Sequence, residues 1–434
     1  MFVEKSVNVF FCDLGITDNI NSIMKIKSLL LFVLFLHALF SCKGPGTDNG
    51  GQRHLPPDDT CIMPKPPVEG GENRISVYVE NSGSMKGYVK GVTDFESFIY
   101  DYLMKVDLDF NSNKLELNYI NSKIEPQNLR LKEFIKNIEP NAFNGGSSDI
   151  ASMIDMILSK TRDNDISIFI SDCIFSPGKG KSAEDYLNMQ KTEIEYSMSK
   201  YLKRCSNAGV LMYQLTSLYD GYYYNCEDKP KAIKAKRPYY VWVFGDSKSI
   251  SKLRSAVPEE KFSMNVDHVF TMTKGGLETN YAIKRNSGEF GISREDSKHS
   301  LKNLEKNARD KKATFSINAD FSNILVEDEY LLNLDNYDLK FGKYQIENVE
   351  RCKIEGYTHT IKVSTDFVST GTLSIKLKKQ ETPQWLQEKY TEECDISSST
   401  MSRTYGLQYL VDGMRNAFDR SGEYLTELNI NINN

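Results

Sequence analysis

The chain has 434 residues, 40% of them hydrophobic and 26% charged, with a formal net charge of −5. At about 150 residues per domain this allows two or three domains with ample core, and the acidic balance argues against nucleic acid as a partner. The five histidines (His37, His54, His268, His299 and His359) lie far apart without the i, i+4 spacing of a helical zinc motif, so no local histidine metal site is encoded.

The first element in chain order is a targeting segment. Met24 is followed by Lys25 and Lys27, a basic stretch, and then by Leu29 to Phe40, an apolar run too short to cross ~30 Å of hydrocarbon as a helix. It ends in Leu39-Phe40-Ser41-Cys42, which resembles the lipobox of bacterial lipoproteins. That resemblance implies lipidation at Cys42, a true start at Met24 and a cell-envelope protein held on a membrane by acyl chains, facing the periplasm or the exterior. Residues 1–42 are therefore read as an upstream extension plus signal. Residues 43–74, rich in glycine and carrying Pro45, Pro56, Pro57, Pro64, Pro66 and Pro67, form a semi-rigid spacer. Beyond Cys42 the cysteines are Cys61, Cys173, Cys205, Cys226, Cys352 and Cys394, which include no CxxC pair, and their disulfide pairing is left open.

Strand-like and helix-like patterns then alternate over 75–260. Ile75 to Val79 precedes a helix over Thr93 to Val106, Leu115 to Ile120 precedes Leu129 to Ile138, and Asp149 to Lys160 precedes the strand Ile166 to Ile170. A long helix over Ala183 to Arg204 leads to strands at Val210 to Thr216 and Tyr239 to Phe244, followed by a helix over Ser247 to Ala256. This predicts an α/β domain, a doubly wound, mostly parallel sheet with helices on both faces. Over 261–380 the period becomes two, as in Ala313 to Ile317 and Thr372 to Leu377, which predicts a smaller antiparallel β domain of sandwich type. Residues 381–434 read as a helical C-terminal segment, with Tyr405 to Phe418 packing back on the first domain.

The chemistry is concentrated where strand Ile75 to Val79 runs into Glu80-Asn81-Ser82-Gly83-Ser84, a carboxylate and two hydroxyls at alternate positions at a strand's carboxyl end. Ligands of open α/β sheets bind at that edge. Two more segments follow in order, Gly145-Gly146-Ser147-Ser148-Asp149 opening a helix and Ile170-Ser171-Asp172 closing a strand. Together they resemble the loops of von Willebrand factor type A domains, whose Asp-x-Ser-x-Ser signature belongs to a metal-ion-dependent adhesion site. The resemblance spans about residues 73–257. It implies a magnesium-like hard cation ligated by Ser82, Ser84 and Ser148, with Glu80 and Asp172 as its carboxylates, and a vacant coordination position for an acidic residue of a partner protein. Here Glu80 stands in place of the family's Asp, Ser148 in place of Thr, and Cys173 in place of Gly.

The other motifs carry less. Gly180-Lys181-Ser182 ends a basic loop, but a phosphate loop needs glycine five residues before Gly180 and that residue is Phe175, so no nucleotide site is expected. Tyr219, Tyr222, Tyr223 and Tyr224 follow a strand that should end on the same edge, and form either a hairpin face or a partner-binding surface. Ser84 and Lys86 lack the spacing of a Ser-x-x-Lys hydrolase. Trp385 follows a proline and reads as a core anchor. The expectation is a non-enzymatic, lipid-anchored protein that binds another protein through a divalent cation. The alternatives are a structural envelope lipoprotein with the same fold and no metal, and a serine hydrolase.

Overall fold

The computed structural model describes residues 74–110, 115–178, 180 and 182–434. The signal segment, Met24, the lipidation candidate Cys42, Cys61, the spacer up to residue 73, and Lys179 and Lys181 of the basic loop lie outside the described residues.

Seven strands build the first sheet: β1 (Ile75–Glu80), β2 (Glu116–Ile120), β3 (Ile124–Gln127), β4 (Ile166–Ser171), β5 (Ala208–Tyr224), β6 (Pro230–Asp246) and β7 (His268–Thr273), in the order β3-β2-β1-β4-β6-β5-β7. Their side chains alternate between faces. Tyr78, Phe169, Met212 and Trp242 join one apolar cluster, while Val77, Ile168, Leu211 and Val243 join another on the opposite side. Both faces are apolar because helices cover both. The intervening helices are α1 (Asp94–Lys105), α2 (Leu131–Lys136), α3 (Ile150–Lys160), α4 (Ala183–Arg204) and α5 (Ser247–Ala256). Helices α3 and α4 contribute to the first cluster, and α1, α2 and α5 to the second. Their starts are capped locally: Thr93 forms a capping box with Glu96, and Asp149, Ser182 and Asp246 each accept a backbone N–H from the first turn.

The sheet is mixed, not mostly parallel. Only the pairings of β1 with β2 and β4 are parallel, and all other neighbours run antiparallel. The cause is a long hairpin. Strands β5 and β6 have 17 residues each and are joined by a short turn, a connection that allows only antiparallel pairing and brings β6, not β5, beside β4. The sheet also takes its edge strand β7 from beyond residue 260.

The remaining strands are β8 (Tyr281–Ile283), β9 (Glu289–Ile292), β10 (Ser300–Glu305), β11 (Ala313–Ala319), β12 (Tyr337–Leu339), β13 (Tyr344–Ile354), β14 (Tyr357–Thr365), β15 (Gly371–Lys378), the short pair β16 (Tyr390–Thr391) and β17 (Thr404–Tyr405), and β18 (Tyr424–Asn433). Two sheets, β12-β15-β18-β10-β9 and β13-β14-β11-β8, enclose one apolar cluster, with Ile375 and Ile430 from the first and Phe315 and Val363 from the second. The helices here are α6 (Asp328–Leu332), α7 (Gln384–Glu388) and α8 (Leu407–Asp419). The C-terminal segment is only partly helical. Leu410, Val411 and Met414 of α8 join Ile194 and Met198 of α4 in the first sheet's cluster, but the chain then ends in β18, antiparallel to β15 and parallel to β10. Asn429, Asn431 and Asn433 alternate with the buried Leu428, Ile430 and Ile432, and asparagine's poor strand propensity hides that period in the sequence. Trp385 is half-buried and stacks on His268 at 4.3 Å, and the fully buried residue of that helix is Leu386. No helix among the described residues is long and apolar enough to cross a membrane.

Candidate functional site

Parallel strands β1 and β4 lie side by side, so their carboxyl ends deliver Glu80 and Ser171-Asp172 to one place. Past Glu80 the chain turns into a single 3₁₀ stretch, Ser84–Val89. The loop before α3 is drawn to that turn by the Gly145 N–H, which donates to the Asn81 carbonyl at 2.9 Å, and by a local parallel bridge between Ser82 and Gly145. Only glycine permits this approach, because a Cβ on Gly145 would lie 2.9 Å from both the Asn81 carbonyl and the Asn121 amide. Asp149 caps α3 through the Ser152 N–H at 3.0 Å, so the cap is neither Ser147 nor Ser148. Ser148 is free to turn inward.

Glu80, Ser82, Ser84, Ser148 and Asp172 converge, and all five are buried. Ser148 Oγ and Ser171 Oγ donate to the two oxygens of Glu80, and the hydroxyls of Ser82 and Ser84 bond each other at 2.9 Å. Asp172 accepts from the Ile174 N–H through Oδ1 at 3.1 Å, while Oδ2 is buried and makes no hydrogen bond of good geometry among the described residues, the Ser84 hydroxyl that acts on this carboxyl being bonded to Ser82. Burial, and then the neighbouring Glu80, push the Asp172 carboxyl up to about 7, against the Ile174 N–H, the Ser84 hydroxyl and the Arg237 guanidinium. Burial also raises Glu80, opposed by the hydroxyls of Ser148, Ser171 and Ser82. Two buried carboxyls with raised proton affinity form a locus that a cation would stabilise.

Above them opens a cleft of about 250 Å³ lined by Ser82, Ser84, Ser148 and Ser176, with Tyr224 and Asp228 on its wall. Tyr224 comes from the end of β5 and covers Gly83. The other tyrosines of its run separate: Tyr219 and Tyr223 are buried and Tyr222 is exposed. Cys173 adopts φ +54°, the left-handed region that favours glycine, and its sulfur accepts from Trp242 Nε1 at 3.3 Å. Lys86 is exposed, and the Ser84 hydroxyl is bonded to Ser82. No histidine lines the cleft among the described residues.

Three contributors escaped the sequence reading. Ser171 was visible in the motif as the hydroxyl before Asp172. Asp228 comes from the hairpin turn, whose position depends on a disulfide between Cys226 and Cys394. Arg237 is fully buried on β6, donates to the carbonyls of Met401 and Arg403, and lies over the Tyr223 ring. A lone arginine ahead of Tyr239 to Phe244 gives no hint of that.

Among the described residues no group of three or more His, Cys, Asp or Glu side chains is placed to hold a metal ion, so any cation here would rest on two carboxylates and serine hydroxyls. That set is all hard oxygen, of the kind magnesium takes, and the unpartnered Asp172 oxygen fits it. No protein-family model matches the chain, and no curated protein matches it.

Proposed function

We propose that the cleft binds a hard divalent cation such as magnesium and, through it, an acidic group of a partner protein, on a non-enzymatic, lipid-anchored protein of the bacterial envelope. The observation that carries this reading is the buried Glu80–Asp172 pair, with one Asp172 oxygen unpartnered beneath the hydroxyls of an open cleft. Glu80, Ser82, Ser84, Ser148 and Asp172 would hold the ion, which when bound supplies positive charge and a site for an outside carboxylate. Ser148 and Ser171 hold the Glu80 carboxylate and the Ile174 N–H that of Asp172, and Tyr224 and Asp228 shape the entrance. A disulfide between Cys226 and Cys394 suits an oxidising compartment and supports the envelope assignment, as does the lipobox-like Cys42.

The test is thermal unfolding with and without Mg²⁺. The ion raises the melting temperature of the natural chain by mass action, EDTA reverses the gain, and Ser82→Ala with Ser84→Ala abolishes it while the fold persists. A natural chain indifferent to Mg²⁺ excludes the cation. It would leave the second reading, a structural envelope protein with a metal-free site, which is favoured by one observation: both Glu80 oxygens are already occupied by Ser148 and Ser171.

A further inference from the structure

The β5–β6 hairpin extends past the sheet and carries a second surface beside the cleft. Its two faces differ. Tyr219 and Tyr223 are buried on one, the Tyr219 ring lying where a Cβ on Gly87 would be. On the other, Leu218 is 50% and Tyr222 56% exposed, about 13 Å apart along the strand. Register sets Lys236 opposite Leu218, Lys234 opposite Asp220 and Ala232 opposite Tyr222, so these six share that outer face. Lys90, following the Ser84–Val89 turn, reaches Asp220 at 2.9 Å, and Lys234 reaches it at 3.2 Å. One carboxylate thus pairs with two exposed ammoniums, and Lys236 has no carboxylate partner among the described residues. The patch is net positive on a chain of net charge −5. Two residues beyond Tyr222 the same strand reaches Tyr224 on the wall of the cleft, so the hairpin carries residues of both.

We propose that this face docks an acidic segment of a partner protein, Leu218 and Tyr222 seating its apolar side chains while Lys90, Lys234 and Lys236 meet its carboxylates. The proposal rests on the cation reading only for the last contact, the acid that enters the cleft. Apolar anchors about 13 Å apart on one strand face, with lysines between and beside them, suit side chains four residues apart on one face of an extended acidic peptide.

The experiment uses the full chain and a fluorescein-labelled peptide of sequence Glu-Phe-Asp-Glu-Asp-Leu-Glu, whose apolar residues lie four apart as Leu218 and Tyr222 do, followed by anisotropy with and without Mg²⁺. The peptide binds, binding weakens as salt rises, and a peptide with lysine in place of every acid does not bind. Lys234→Glu with Lys236→Glu, both solvent-exposed, lowers affinity about tenfold or more while the Mg²⁺ shift in melting temperature is unchanged. Tyr222→Ala lowers affinity and keeps the salt dependence. The proposal is overturned if the natural chain does not bind the peptide or if charge reversal leaves affinity unchanged. It is equally overturned if the lysines are needed only for capturing phosphatidylglycerol vesicles, or only for self-association in sedimentation. If Mg²⁺ affects neither melting nor peptide binding while the lysine dependence remains, the cation reading fails and the docking face stands.

Discussion

At the scale of single residues, the decisive chemistry is two carboxyls buried in one site. Asp172 carries a carboxyl raised from 3.8 to about 7, chiefly by burial and then by Glu80. Because the folded value lies above the unfolded one, this group's contribution to stability is fully present below about pH 4 and is lost as pH rises through about 7. The metal-free protein therefore melts lower at about pH 8 than at about pH 5 on account of this site. Asp172→Asn removes that part of the slope and raises the melting temperature at the alkaline end, while eliminating any gain from Mg²⁺; melts across that range check it. Magnesium competes with the proton, so the natural chain's gain from the ion grows with pH over the same interval. Glu80→Asp shortens the reach to Ser148 and Ser171, leaving two buried hydroxyls to lose their acceptor, and costs about 1–3 kcal/mol in chemical denaturation.

At the scale of elements, the site depends on close contacts between loops that belong to different parts of the chain. Gly87 and Gly221 meet where the 3₁₀ stretch crosses the hairpin: a Cβ on Gly221 would lie 2.7 Å from the Gly87 Cα. Gly221→Ala overpacks that crossing, lowers stability by about 1–3 kcal/mol in a denaturant melt, and displaces the turn that carries Ser84. The parallel strands β1 and β4 were legible as apolar runs ending in polar motifs, because each run is buried on both faces and each motif sits one residue past it. The hairpin was not legible at its full length. Its outer half replaces alternating apolar residues with tyrosines and lysines, since only one face is covered, and such a stretch reads as loop.

On the scale of the whole molecule, the segment between the second body and the last strand is tied back to the first sheet. Cys226 bonds Cys394 across 168 residues, Lys231 donates to the Ile396 carbonyl, and Arg237 donates to the Met401 and Arg403 carbonyls. Cross-linking a loop of that length constrains the unfolded chain strongly, so Cys226→Ser with Cys394→Ser lowers stability by about 2–5 kcal/mol, read as a shift of the denaturation midpoint. Asn225, beside Cys226, donates to Asp395 at 2.6 Å, and Asp228 belongs to the same turn, so loss of the bond also loosens one wall of the cleft.

The sequence by itself marked the alternating strands and helices that lead up to the hairpin and named Glu80, Ser82, Ser84, Ser148 and Asp172 as candidates. Periodicity is a local property, and Glu80, Ser82, Ser84, Ser148 and Asp172 stand at ends of periodic runs. It determined neither the antiparallel insertion of β6 beside β4 nor the passage of β18 into the second body, because strand pairing is a long-range choice. Only the tertiary structure buried Arg237 where its charge acts on Asp172, paired Cys226 with Cys394 and placed Asp228 on the cleft. Each of those depends on which distant segments exclude water from one another, and burial of that kind leaves no pattern within a short window of chain.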